Sequence, residues 1–279
     1  MQGGEKMYGA IIGDIVGSVY ERHSTKDKNF ELFGRGCRFT DDTTMTIAVA
    51  EACLMPLGLM DINDIYGTFA SCMKKWGRKY PNAGYGRRFS EWIMSDDDKP
   101  YNSYGNGSAM RVSPIGWKYC EGPMSSGDMA IMLAAVTHNH PEGMKGAAAV
   151  AAAITMAYLG ETKEQIRDYI EKEYEYDLNR TCDDIRPSYK FDVSCQGSVP
   201  EAIIAFLDAN NFEEAVRNAV SLGGDADTQA AIAGSIAEAY YGIPQRFINK
   251  ANEYIPGEMK AVLNKFYKKY VWKRKVQEP

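Results

Sequence analysis

Apolar residues recur along most of this chain at the three- and four-residue spacings of helices, and strand-like alternation is scarce. The spacing predicts helices over 42–54, 62–76, 127–136, 146–159, 163–173, 199–207, 212–220, 228–241 and 257–270. A first helix is expected in the apolar stretch from Tyr8, where Gly9, Gly13 and Gly17 fall at every fourth position. Such a smooth face allows close helix–helix approach. Val199-Pro200-Glu201 reads as a proline in a first helical turn. Only 189–193 hints at a strand. Between the helices run glycine-rich loops over 34–42, 81–88, 95–111 and 137–143. Long loops in a compact domain usually carry function. No linker or tandem repeat interrupts the pattern, so the expectation is one all-α domain, a compact multi-helix unit over 1–279.

Two helix starts stand out chemically. Thr40-Asp41-Asp42-Thr43 precedes the apolar run 45–50, and Gly223-Gly224-Asp225-Ala226-Asp227-Thr228 precedes another at 230–234. Carboxylates and hydroxyls are hard oxygen ligands suited to Mg²⁺, Mn²⁺ or Ca²⁺. One Asp or Thr suffices to cap a helix, and acidic residues there also suit its dipole. Simple capping therefore explains either cluster alone. Two similar clusters, each with more carboxylate than a cap needs, favour a shared metal site if the starts meet in space.

Composition narrows the class. A hydrophobic content of 45% is that of a soluble globular chain, and a net charge of −5 argues against general affinity for nucleic acid or anionic membrane. The basic C-terminal stretch (Lys265, Lys268, Lys269, Lys273 and Arg274, interleaved with Phe266, Tyr267, Tyr270 and Trp272) reads as a solvated helix with an aromatic inner stripe. Six scattered cysteines with no CxxC pair signal neither a zinc ribbon nor a redox dithiol, and fit a reduced, cytoplasmic setting. The apolar stretch from Tyr8 is broken by Asp14 and lacks a cleavage pattern, and the greasy run 146–160 is too short to span a bilayer.

Weaker signals remain. Gly84-Tyr85-Gly86 and Gly105-Asn106-Gly107-Ser108 are glycine turns whose N–H groups can cradle phosphate, though neither has Walker or dinucleotide-fingerprint spacing. Thr137-His138-Asn139-His140-Pro141 holds two of only three histidines, too few for a zinc set; it suits a ligand contact or a structural turn. Glu21 follows the first helix and alone reads as surface or as functional.

Taken in order, these segments resemble the ADP-ribosylglycohydrolase family. They are Gly13-Asp14-x-x-Gly17-Ser18-x-x-Glu21, Thr40 to Thr43, Gly84 to Gly86, Gly105 to Arg111, Thr137-His138 and Gly223 to Thr228, covering about residues 8–245. The resemblance implies an all-α fold with two Mg²⁺ (or Mn²⁺) ions in a cleft. It implies metal ligation by Thr40, Asp41 and Asp42 on one side and Asp225, Asp227 and Thr228 on the other. It implies substrate contact at Gly84, Tyr85, Gly86, Asn106, Gly107, Ser108, Met110 and His138. Glu21 matches a glutamate on a mobile flap in the serine-type members. Every principal position is filled, and the chain is short for the family, which implies trimmed loops and a more open acceptor side.

The chemistry agrees with that resemblance. Breaking a ribosyl C1 bond needs an activated water and a protonated leaving group. Carboxylates beside the metals, Asp41 or Asp227, can take the water's proton, and Glu21 can serve the leaving group. The expected partner is an ADP-ribosylated protein, serine-type or arginine-type, or a small ADP-ribose conjugate, with the enzyme a monomer. A non-catalytic ADP-ribose-binding protein of the same fold and a dinuclear phosphohydrolase are the alternatives.

Overall fold

The computed structural model describes residues 7–57, 60–120 and 122–271. Among them are fifteen α-helices. They are α1 (Gly9–Gly17), α2 (Asp41–Leu54), α3 (Ile62–Lys79), α4 (Arg87–Met94), α5 (Gly107–Met110), α6 (Ser113–Lys118), α7 (Pro123–Ala135) and α8 (Pro141–Leu159). Then follow α9 (Lys163–Tyr174), α10 (Cys182–Ile185), α11 (Cys195–Leu207), α12 (Phe212–Ser221), α13 (Ala226–Tyr241), α14 (Gln245–Ala251) and α15 (Gly257–Phe266), with a π-helical turn Tyr267–Val271 closing the series. No strand occurs among the described residues; the hint at 189–193 is loop, beside one isolated bridge between Gly105 and Ser194. The all-α expectation holds.

The centre is built from helices that are apolar or small all round. Every residue of α1 is buried, as are residues 226–238 of α13 and 146–157 of α8. A helix without a polar face has to be surrounded. On α1 the glycine row lies against α13 so closely that side chains are impossible. A Cβ at Gly9 would come 2.2 Å from Gly234 O, one at Gly13 2.0 Å from Ala230 O, and one at Gly17 2.5 Å from Ala226 O. This contact runs down to the first turn of α13, which is where Asp227 sits. At its upper end α1 lacks a side-chain cap of its own, and Glu238 of α13 supplies one, accepting from the N–H groups of Met7 and Gly9.

Several helices begin earlier than periodicity suggests, because their caps lie in what reads as loop. Ser194 accepts from Gly197 N at 3.1 Å and starts α11, so Pro200 is inside that helix and not in its first turn. His140 Nδ1 accepts from Glu142 N at 3.1 Å and starts α8 at Pro141. The aromatic inner stripe of the C-terminal stretch is present, with Phe266 and Tyr267 buried, Lys265 and Lys268 exposed, and Trp272, Lys273 and Arg274 outside the described residues. Lys269 Nζ donates to Leu54 O and the Tyr270 hydroxyl to Cys53 O, closing the C-terminus of α2. Among the described residues no helix is long and apolar enough to cross a membrane. All six cysteines are buried thiols outside any disulfide.

Candidate active site

The first acidic cluster is organised from beneath by a residue of α1. Asp14 is fully buried and accepts four hydrogen bonds: from Thr40 N (2.9 Å), Thr40 Oγ1 (2.6 Å), Thr43 N (3.1 Å) and the Thr43 hydroxyl. The Thr40 hydroxyl spends its proton on Asp14, so its lone pairs face elsewhere: one takes Asp42 N at 3.3 Å and caps α2. Asp14 thereby fixes the turn that aims Asp41 and Asp42.

The second cluster opens α13. Asp225 holds the N-cap position yet makes no side-chain cap bond. Its Oδ2 instead accepts from Asn106 Nδ2 at 2.7 Å, across from the loop before α5. Asp227 Oδ1 accepts from Thr228 N at 2.9 Å, and the Thr228 hydroxyl lies 3.3 Å from Asp42 Oδ2. So helix starts 186 residues apart in the chain are in contact. Oxygens of Asp14, Asp42 and Asp227 lie within 4.8 Å of one another, all buried.

Such crowding is electrostatically unfavourable for bare carboxylates. Burial raises all five aspartates, and mutual repulsion adds to it at Asp41, Asp42 and Asp227. Asp41 is pushed to about 8 and Asp225 to about 6. Asp42 Oδ1 is buried with no hydrogen-bond partner among the described residues. A hard divalent cation answers both features: it neutralises the charge and satisfies the orphaned oxygen. The donor set is all oxygen, carboxylate and hydroxyl, as Mg²⁺ or Mn²⁺ requires.

Asp41, Asp42, Asp225 and Asp227 face a cleft of about 510 Å³, a volume suited to a nucleotide-sized ligand. It is lined also by Glu21, Gly84, Gly86, Asn106, Gly107, Met110 and His138. Gly84 adopts φ +114°, where L side chains are strained, and a Cβ there would sit 3.2 Å from Asp41 Oδ1. A Cβ at Gly107 would sit 3.3 Å from His138 Nε2. Tyr85 and Ser108 stand behind the lining: the Tyr85 ring packs on Phe89 at 5.7 Å, and the buried Ser108 hydroxyl donates to Gly143 O at 2.7 Å. Thr40 too is set back, in the Asp14 network.

Arg111 and His138 form a relay along one wall. The Arg111 guanidinium, fully buried, donates to Thr137 Oγ1 at 2.7 Å, and that hydroxyl lies 2.7 Å from His138 Nδ1. Where the Thr137 hydroxyl gives its proton to Nδ1, the His138 proton sits on Nε2, on the side of Gly105 and Gly107. Burial, then the charges of Arg111 and Arg88, hold His138 well below its ordinary pKa, so it is a neutral imidazole. His140, its neighbour in the histidine pair, caps α8 instead.

Asp14 and Arg111 carry roles that the sequence pattern did not assign. The signal for Asp14 was present: a lone carboxylate inside an apolar helix needs partners. Arg111 offered no such signal, because its burial follows only from how α5 and α6 fold around it.

Comparison with known proteins agrees with this geometry. The ADP-ribosylglycohydrolase family profile matches residues 5–275. ADP-ribosylarginine hydrolase Tri1 of Pseudomonas putida is 28% identical, over 88% of this chain and 72% of its own. ADP-ribosylhydrolase ARH3 of Mus musculus is 30% identical, over 85% and 83%. ADP-ribosyl-[dinitrogen reductase] glycohydrolase of Rhodospirillum rubrum is 25% identical, over 90% of each. A solved ADP-ribosylglycohydrolase-related protein complex shares the fold at a TM-score of 0.67 and 24% identity, covering 93% of this chain and 96% of that one. The acidic helix starts, the cleft they face and the match along the chain agree, and the chain belongs to the ADP-ribosylglycohydrolase family of hydrolases.

Proposed function

We propose that this chain is a Mg²⁺-dependent hydrolase, with Mn²⁺ as the substitute ion, that cleaves the glycosidic bond between ADP-ribose and a protein side chain of the serine or arginine type, releasing ADP-ribose. The observation that carries the reading is the meeting of the two acidic helix starts at the floor of one cleft, with Asp42 Oδ1 left unpartnered among the described residues. Thr40, Asp41 and Asp42 from one start and Asp225, Asp227 and Thr228 from the other would hold two cations. Bound there, such cations supply Lewis-acid polarisation and orient sugar hydroxyls.

The chain's own groups supply the rest. Asn106 and Asp14 hold the carboxylates of the two starts in register. Asp41 or Asp227 takes the proton of the attacking water. Glu21, on the cleft wall, donates a proton to the departing side chain as the ribosyl C1 bond breaks. His138 offers its Nε2–H to ligand oxygen, and Gly84, Gly86 and Gly107 let backbone approach the substrate.

The test is a panel of serine- and arginine-linked ADP-ribose conjugates, assayed with Mg²⁺ and after EDTA, with product identification. The reading expects Mg²⁺-restored release of intact ADP-ribose. Release of AMP would show cutting of the pyrophosphate, and binding without turnover on every conjugate would show a binding protein.

A further inference from the structure

Glu21 and Phe191 line the cleft and also line a second groove, of about 440 Å³. The two depressions therefore meet at Glu21. Within the function proposed above, on which this inference rests, Glu21 serves the leaving group, so what extends beyond it is the acceptor.

The second groove has a different chemistry from the first. Its charged side chains are Arg22, Lys26 and Lys190, three cations against the single carboxylate of Glu21. Arg22 and Lys190 are exposed, and neither makes an ion pair among the described residues. Lys26 spans the groove, with its Nζ donating to the carbonyls of Tyr189 and Leu222. It ties the walls together while its charge meets no carboxylate among the described residues. In a chain of net charge −5 this is a local reversal of sign at the exit of the reaction cleft.

We propose that this groove is the acceptor-polypeptide site, and that it selects modified residues flanked by Asp or Glu. Complementary charge of this kind acts on encounter rate and register. A phosphodiester strand is a poorer fit. The groove offers one exposed aromatic, Phe191, where single-strand sites present successive stacking platforms.

The test compares peptides carrying one ADP-ribose linkage, flanked by aspartates or by lysines, with the single modified amino acid as a flank-free reference. The acid-flanked peptide should exceed the lysine-flanked one in kcat/KM by about 10-fold at low salt, and the gap should close as salt rises. The double variant Arg22→Glu, Lys190→Glu should reverse the ranking and leave the single modified amino acid unchanged. Equal rates for both peptides, or a variant that changes all substrates alike, overturns the groove assignment. Failure of the wild type to cleave the flank-free reference would instead count against the function itself. In that case binding of a fluorescent, unmodified acidic peptide, present in wild type and lost in the double variant, still decides the groove. Tighter binding of a single-stranded oligonucleotide than of that peptide overturns it.

Discussion

The starts of α2 and α13 look alike in composition, and the fold treats them differently. At α2 the cap is Thr40, and the buried Asp14 of α1 binds both Thr40 and Thr43 from below. At α13 the cap position is an aspartate, Asp225, that does not cap; its carboxylate goes to Asn106 and the cleft. The first start delegates its local structural work to a neighbour and so frees Asp41 and Asp42. The second forgoes the cap bond and frees Asp225 directly. Capping accounts for Thr40 and leaves the carboxylates unexplained, which is why the crowded aspartates read as ligands.

The largest expected effect comes from removing a carboxylate of either start. Asp42→Asn and Asp227→Asn should each lower kcat/KM by at least ~100-fold, the upper scale of losing even an outer partner of a metal site. Both should fold, because Thr40 and not Asp42 caps α2, and Asn at 227 keeps the oxygen that accepts from Thr228 N. Steady-state kinetics with circular dichroism on the same samples checks both halves. If one variant is silent and the other dead, the starts do not share a site.

Stability should then separate the starts. Asp14→Asn leaves four buried donors facing a side chain with one acceptor oxygen, so the melting temperature should fall; each buried donor left unsatisfied costs about 1–3 kcal/mol. Activity should drop with it, by roughly 10–100-fold. Asp225→Asn breaks no cap and relieves crowding, so metal-free protein should melt no lower than wild type. Calorimetry of the two variants in EDTA reads the difference; equal losses would show that Asp225 is structural after all.

A smaller effect is expected at Asn106→Ala, which removes the anchor of Asp225 and a 3.2 Å bond to the buried Ser198 hydroxyl. Metal affinity should weaken by about 10-fold, the lower scale for an outer-shell partner. The smallest is a pH effect on the metal-free protein. Asp41 near 8 and Asp225 near 6 lie above ordinary carboxylates, so the folded state holds these protons more tightly than the unfolded chain. Their contribution is full below the unfolded value near 3.8 and is lost as pH rises through the folded values. Metal-free protein should therefore melt lower at pH 8 than at pH 6, by about 2–4 °C for each kcal/mol lost. Saturating Mg²⁺ should remove that slope, and Asp41→Asn should reduce it.

Much of this was legible in the chain because small residues and carboxylates leave direct marks. The glycine row 9, 13 and 17 announced the close face of α1, and the two acidic starts announced themselves. Local pattern could not say that the starts touch; no spacing encodes a contact across 186 residues, and only the ordered resemblance pointed there. Short helices such as α4 and α14 escaped because they carry too few turns for a period to show. Asp14 escaped because the same segment was read for its glycines. The histidine pair divided by geometry: His138 faces the cleft and His140 caps a helix.

The shared site stands or falls most directly on Mn²⁺ binding, followed by electron paramagnetic resonance and by calorimetry, in wild type, Asp42→Asn and Asp227→Asn. The account predicts saturable binding in wild type that Mg²⁺ displaces, and marked weakening in both variants, one from each helix start. Wild-type affinity retained in both variants would contradict it.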